Sequence, residues 1–194
     1  MQAIEIIWLE LDLDAARLRA GRAWLSPRER ERADRYLQPV HGARYIAAHA
    51  QLRWLLGQRL GSAPEAVGFE RGPQGKPKIA GAPLQFNLSH SGARAVVALH
   101  SSIELGVDVE SPATRRNWLG LAHRFFTAGE AAGLQALPEA QMAEQFCRLW
   151  TCKEAWMKAD GRGLAAGVAT AEVCLDGGRA LLQAPAPDGG GRWW

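Results

Sequence analysis

Ser26-Pro27-Arg28-Glu29 reads as the start of a helix. A hydroxyl stands at the cap, proline at the first helical position, and a glutamate three residues on can reach back to the cap amide. Thr127-Ala128-Gly129-Glu130 has the same form 101 residues later. The chain repeats its organisation around this pair. Apolar runs of strand length stand at 4–9 and 105–109. Long helical patterns follow at 43–60, with Ile46, Ala50, Trp54 and Leu55 near one face, and at 143–158, with Phe146, Trp150 and Met157 near one face. Trp54 and Trp156 correspond at an offset of 102, as do Gly61 and Gly163, each past a helix end. Short alternating segments at 66–79 and 169–182 read as hairpins. The expected fold is α+β: two similar α/β halves, 1–101 and 102–194, related by a pseudo-two-fold and packed as one unit. A ligand is expected in the cleft between them. At the join, 86–88 and 95–99 read as strands flanking Ser89-His90-Ser91-Gly92, with no Gly-, Pro- or Ser-rich linker.

The 194 residues, 47% hydrophobic and 22% charged, suit one ordinary domain or two small ones with a real core. That excludes a disordered tail, a collagen-like repeat and a coiled coil. No apolar run is long enough to span a bilayer, and the N-terminus lacks a basic region followed by an apolar one, so neither a membrane span nor a secretory signal is expected. Cys147, Cys152 and Cys174 have neither zinc spacing nor an even count, and are expected to be reduced thiols of a cytoplasmic protein.

The net charge of +3 is unevenly spread. Residues 1–97 hold 14 Lys/Arg against 9 Asp/Glu, a net of +5, and residues 98–194 hold 9 against 11, a net of −2. Nineteen of the 23 basic residues are arginine; the four lysines form two close pairs, Lys76 with Lys78 and Lys153 with Lys158. A cationic half beside a carboxylate-bearing half suits a phosphate ligand with a divalent metal, or an acidic protein partner. An arginine-rich solvated surface accounts for the arginine count but not for the lysine pairs.

Four stretches hold candidate chemistry. In Gly106-Val107-Asp108-Val109-Glu110, read as a strand, Asp108 and Glu110 share a face and the valines turn to the core. Oxygen-only ligands favour a hard cation such as Mg²⁺; the plain alternative is an edge strand with its acids in water. In Trp150 to Lys158, Glu154 and Lys158 stand one helical turn apart in the favourable order for a surface ion pair. The functional reading makes Glu154 a third ligand or a base and Lys158 a phosphate partner. In Gly75-Lys76-Pro77-Lys78, a lysine held by a turn can meet a phosphate, or simply belong to a basic loop. In Asn87 to Gly92, hydroxyls, an imidazole and loop amides can cradle a phosphate. A Ser-His nucleophile is discounted, because adjacent residues rarely point together and no G-x-S-x-G elbow is present.

Taken in order, these pieces resemble the 4′-phosphopantetheinyl transferases of the longer, monomeric, two-halved, surfactin-synthetase-activating type. The resemblance rests on Gly75-Lys76-Pro77, Phe86 to Ser91, Gly106 to Glu110, Arg124-Phe125-Phe126 with Glu130, and Trp150 to Lys158 followed by Gly161-Arg162-Gly163-Leu164. The family pattern is Gly-hydrophobic-Asp, then about 40–45 residues, then Trp-x-x-Lys-Glu-Ala-x-x-Lys; here 44 residues separate Asp108 from Lys153. It is strong over about 44–175 and weak before Ser26.

The resemblance implies transfer of 4′-phosphopantetheine from coenzyme A to a serine of an acyl or peptidyl carrier protein, releasing adenosine 3′,5′-bisphosphate. The carriers are those of fatty-acid, polyketide or nonribosomal-peptide assembly. It implies that Asp108, Glu110 and Glu154 gather around Mg²⁺, with Asp108 also facing CoA. Glu154 is implied as base, Lys158 as its catalytic neighbour, Lys158 and His90 as pyrophosphate contacts, and Lys76, Ser89 and Arg44 as contacts to the 3′-phosphate end. The family continues with further strand beyond Gly191-Arg192-Trp193-Trp194, so the last sheet is expected to be incomplete. The match over 28–36 is loose, and no adenine contacts are named. One alternative is an inactive CoA- or carrier-binding module, against which the three carboxylates and Lys158 stand. A nucleic-acid binder, suggested by a pI near 9.0, lacks a basic stripe interleaved with aromatics.

Overall fold

The computed structural model describes residues 3–72, 75–112, 117–161, 167–176 and 179–183. It is a mixed α/β chain. Strands β1 (Glu5–Glu10), β4 (Gln85–Ser91) and β5 (Arg94–His100) form an antiparallel sheet in the order β1-β5-β4. Helices α1 (Ala15–Trp24) and α2 (Pro27–Asp34) lead into the long α3 (Pro39–Leu60), and a short hairpin, β2 (Phe69–Arg71) with β3 (Pro77–Ile79), precedes the sheet's last two strands. After residue 117 come α4 (Trp118–Phe125), α5 (Ala128–Gln135), the long α6 (Glu139–Asp160) and a second hairpin, β6 (Glu172–Asp176) with β7 (Arg179–Gln183).

Among the described residues no apolar cluster combines residues before 101 with residues after 117. Leu9, Leu11, Ala47, Leu52, Leu56, Val97 and Leu99 form one core between α3 and the sheet. Ala122, Phe126, Leu134, Phe146, Leu149 and Val173 form another, in which Phe146 stacks on Phe126 at 4.8 Å and packs beside Trp118 at 5.0 Å. The remaining two clusters likewise draw only from residues before 51 or after 124.

Element order repeats across these two sets. Ser26 and Thr127 each cap an eight-residue helix with a complete capping box. Each capping glutamate also anchors a cation from the following 22-residue helix. Glu29 Oε2 meets Arg53 NH2 at 2.8 Å, and Glu130 Oε2 meets Lys153 Nζ at 2.8 Å. Each cation then donates to two carbonyls beyond its own helix: Arg53 to Pro64 and Val67, Lys153 to Val168 and Ala171. Burial opposes the charge of Glu29, but hydrogen bonds from His49, Arg53 and Ser26 outweigh it and hold the carboxyl at about 2.

These contacts correct the sequence register. Arg53 and Lys153 are 100 residues apart, as are Gly61 and Gly161, the left-handed caps of α3 (φ 64°) and α6 (φ 79°). The 102-residue pairing of Trp54 with Trp156 fails: Trp54 is 47% exposed and Trp156 only 3%. Trp54 therefore lies off the core face on which it was expected. Gly163 and the rest of 162–166 lie outside the described residues, as does the tail 184–194.

Two further expectations change. The 105–109 run is not a strand of any sheet; its backbone amides bond to side chains of β4. Ser89, His90 and Ser91 lie within β4, paired to Val96, Ala95 and Arg94, so they are strand residues and not a loop cradle.

Candidate active site

The 105–110 segment lies against α6 so closely that no side chain fits at Gly106. A Cβ there would overlap the Ala155 carbonyl oxygen and the Ala159 amide nitrogen, and stand 2.9 Å from the Lys158 carbonyl carbon. Glycine lets the segment approach the helix, and so brings Asp108 beside Lys158. Gly106→Ala is expected to push the segment off α6. Any reaction run at this site should slow by the 10²-fold or so that about 1 Å of misplacement costs, read as an initial rate. An unchanged rate would show that the separation is not needed.

Asp108, Glu110, Glu154, Lys158, Ser89 and His90 line one polar cavity of about 350 Å³, floored by Leu88, Val109 and Trp150. Lys158 Nζ donates to Asp108 Oδ1 at 2.5 Å and to Ser89 Oγ at 2.9 Å, while Ser89 Oγ donates to Asp108 Oδ1 at 2.7 Å. The expected helix-surface pair between Glu154 and Lys158 does not form; Lys158 pairs with Asp108 across the cavity. The Asp108 side chain is 5% exposed, and its Oδ2 is buried with no hydrogen-bond partner.

Burial pushes the Glu154 carboxyl up; Lys158 opposes this, and the charges of Asp108 and Glu110 add to it. His90, on the exposed end of β4, is driven down by partial desolvation and by its neighbours His49, Lys158 and Arg32, against the pull of Asp108. Arg32 and His49, from α2 and α3, thus add to the positive field at the His90 end, a contribution the sequence reading missed.

Three carboxylates and one ammonium leave this cavity short of positive charge. Among the described residues no three His, Cys, Asp or Glu side chains converge tightly enough to grip a metal ion as they stand. The donor set nevertheless fits a hard divalent cation. It offers oxygen only, and it includes a buried carboxylate oxygen left without a donor, an arrangement that is costly unless something positive meets it.

Two predicted residues do not line this cavity. Lys76 Nζ donates to Glu104 Oε2 (2.8 Å), Leu105 O (3.1 Å) and Ala159 O (3.0 Å), tying the β2–β3 turn to the 104–105 segment and the end of α6. Arg44 forms a two-pronged bond to Asp12 at 2.6 and 2.9 Å. The sequence reading placed Asn87 and Ser91 in a phosphate cradle; both side chains instead accept from amides of 107–111. A second cavity, about 380 Å³ and more apolar, shares the Glu110 wall and is bounded by Cys147, Arg148, Thr151, Cys152, Leu175 and Ala180.

The profile of the 4′-phosphopantetheinyl transferase superfamily matches residues 104–190. The chain is 38% identical over 164 residues to the 4′-phosphopantetheinyl transferase HetI of Nostoc sp., covering 82% of this chain and 69% of that one. It is 30% identical over 181 residues to a 4′-phosphopantetheinyl transferase of Bacillus subtilis, covering 92% and 80%. With AcpT of Salmonella typhimurium it shares 44% identity over 126 residues, covering 64% and 62%.

Proposed function

Because the chain belongs to the 4′-phosphopantetheinyl transferases, we propose that it moves the phosphopantetheine arm of coenzyme A onto a serine of an apo acyl or peptidyl carrier protein, with Mg²⁺. The observation behind this reading is the polar cavity that gathers Asp108, Glu110 and Glu154 with Lys158 and His90. Phosphoryl transfer needs little beyond such a set: charge neutralisation, positioning and one base.

Asp108, Glu110 and Glu154 would hold Mg²⁺, which would supply charge neutralisation at the pyrophosphate. Lys158 and His90 take the pyrophosphate oxygens from the other side. Glu154, its carboxyl raised toward neutrality, accepts the proton of the carrier serine. The serine oxygen bonds to the β-phosphorus, the bond from that phosphorus to the bridging oxygen breaks, and adenosine 3′,5′-bisphosphate leaves. Ser89 touches CoA through the Asp108–Lys158 cluster. For Arg44 and Lys76, a role at the 3′-phosphate means trading Asp12 and Glu104 for another anion, which leaves their charge neutralised throughout.

We also read the chain as two halves, 1–101 and 102–194, related by a pseudo-two-fold with the site between them. The repeated element order, the matching Glu29–Arg53 and Glu130–Lys153 pairs and the unmixed apolar clusters support this. The three cysteines are free thiols, which suits a reducing compartment such as the cytoplasm. No helix among the described residues is long and apolar enough to cross a membrane.

The deciding experiment is the intact mass of several apo carrier proteins after incubation with CoA and Mg²⁺. Gain of one phosphopantetheine on a serine supports the reading; CoA binding with no carrier modified favours an inactive binding module. The net +5 of residues 1–97 further implies that acidic carriers are drawn by charge. Such attraction fades beyond a Debye length of about 8–10 Å near physiological salt. The KM for carrier should therefore rise with added salt more steeply than the KM for CoA. Equal salt sensitivity would count against a steered docking face.

A further inference from the structure

Strand β4 presents Asn87, Ser89 and Ser91 two residues apart on one face, opposite 107–111. The pairing between them is regular. Val107 N donates to Asn87 Oδ1 at 2.9 Å, Val109 N to Ser89 Oγ at 3.4 Å, and Ser111 N to Ser91 Oγ at 3.1 Å, each acceptor standing 20 residues before its donor. Each serine also hands its own proton to the carboxylate of the intervening residue: Ser89 to Asp108 Oδ1 at 2.7 Å, Ser91 to Glu110 Oε2 at 3.4 Å. A hydroxyl has one proton to give and two lone pairs to receive, so it can serve backbone and carboxylate together.

This side-chain ladder replaces the backbone ladder that 107–111 lacks, and it does more. Backbone pairing would fix only the path of the segment. The hydroxyls also fix which way its two acids turn. Two successive serines repeat the same double bond, so the spacing of Asp108 and Glu110 follows the spacing of alternate residues on β4.

We propose that Asn87 and Ser91 are positioning residues for the metal-binding carboxylates, with Ser91 setting Glu110 and Asn87 setting the register of the segment. This rests on the reading that Asp108 and Glu110 take a divalent cation. Neither Asn87 nor Ser91 lines the cavity, so any effect on the site passes through the acids.

The test compares wild type, Ser91→Ala and Ser91→Thr as full chains. Mn²⁺ is titrated by electron paramagnetic resonance in the presence of CoA, melting temperature is recorded, and carrier modification is measured across Mg²⁺ concentrations. Ser91→Ala is expected to weaken Mn²⁺ binding about 10–100-fold, the usual cost of removing a partner from a metal-binding carboxylate. Its rate should recover in part at high Mg²⁺, with the KM for CoA at saturating metal unchanged. Ser91→Thr keeps the hydroxyl and should restore both affinity and rate.

Unchanged Mn²⁺ affinity in Ser91→Ala beside a wild type that binds and turns over overturns the positioning role alone. A lowered melting temperature with affinity intact overturns it too, since the serine is then merely structural. A wild type that binds no Mn²⁺ and modifies no carrier overturns the metal reading and, with it, this proposal. Asn87 is 6% exposed, so Asn87→Ala risks misfolding; Ser91, nearer the strand end, keeps the inference testable.

Discussion

Asp108→Ala is expected to abolish carrier modification while leaving a folded chain. The carboxylate belongs to no apolar core. Its partners are Lys158, Ser89 and an empty side at Oδ2, all within the cavity. Removing it leaves Lys158 bonded to Ser89, so no ammonium is stranded without a partner. The melting temperature should therefore hold near that of the wild type, while the site loses the acid that faces Lys158 and is proposed to meet the cation. The measurement pairs carrier mass shift across a Mg²⁺ titration with thermal unfolding. Near-normal turnover at ordinary Mg²⁺ would sink the metal assignment, and loss of turnover with loss of fold would make Asp108 a scaffold residue.

Glu154→Gln is expected to separate binding from transfer. A lost general base costs about 10²–10⁴ in kcat, and a lost metal ligand adds to that, recovered only in part by extra Mg²⁺. CoA should still bind, because His90 and Lys158 remain. The plain alternative, an i,i+4 pair on the helix surface, has lost its geometric basis, since Lys158 pairs with Asp108 instead. The pH dependence follows from the direction of the shift. With its carboxyl raised by burial and by two neighbouring acids, Glu154 protonates at a higher pH than an ordinary glutamate in the metal-free chain, and a cation held beside it opposes that shift, so the acid limb of the rate profile should move to higher pH as Mg²⁺ is lowered. Glu154→Gln should erase that limb. Calorimetry for CoA and mass shift for transfer test both points; unchanged transfer removes α6 from the chemistry.

Much of this was legible because it is local. The capping boxes at Ser26 and Thr127 need only four consecutive residues each, and both formed as read. Helices 43–60 and 143–158 showed through their apolar spacing, although each begins four residues earlier in the fold, at Pro39 and Glu139. Asp108 stood out as one of two acids on an alternating run and Glu154 as one end of a helical i,i+4 pair, and the structure brings them to one cavity. What stayed hidden depends on contacts distant in sequence. Nothing local tells Lys153 to face Glu130 from the buried side of α6, or Lys158 to face Asp108 from the open side. Nor does it show that the Gly106 segment would trade a backbone ladder for hydroxyls on β4. The register error at Trp54 has the same origin: matching tryptophans are conspicuous in a sequence, whereas the repeat is kept by a cation that is arginine in one copy and lysine in the other.

The unmixed apolar clusters have a consequence for how this molecule responds to what it binds. Among the described residues, the side-chain bonds that join residues before 101 to those after 103 include Lys76 to the end of α6, Lys158 to Ser89, and the β4 side chains to 107–111. No apolar cluster among them spans the two sets, so these contacts are made largely by charges that also line the candidate cavity. On the proposed reading, a ligand that bridges Lys158 and the carboxylates leans on both sets at once, and anything that weakens the contact between them loosens the ligand by an equal free energy.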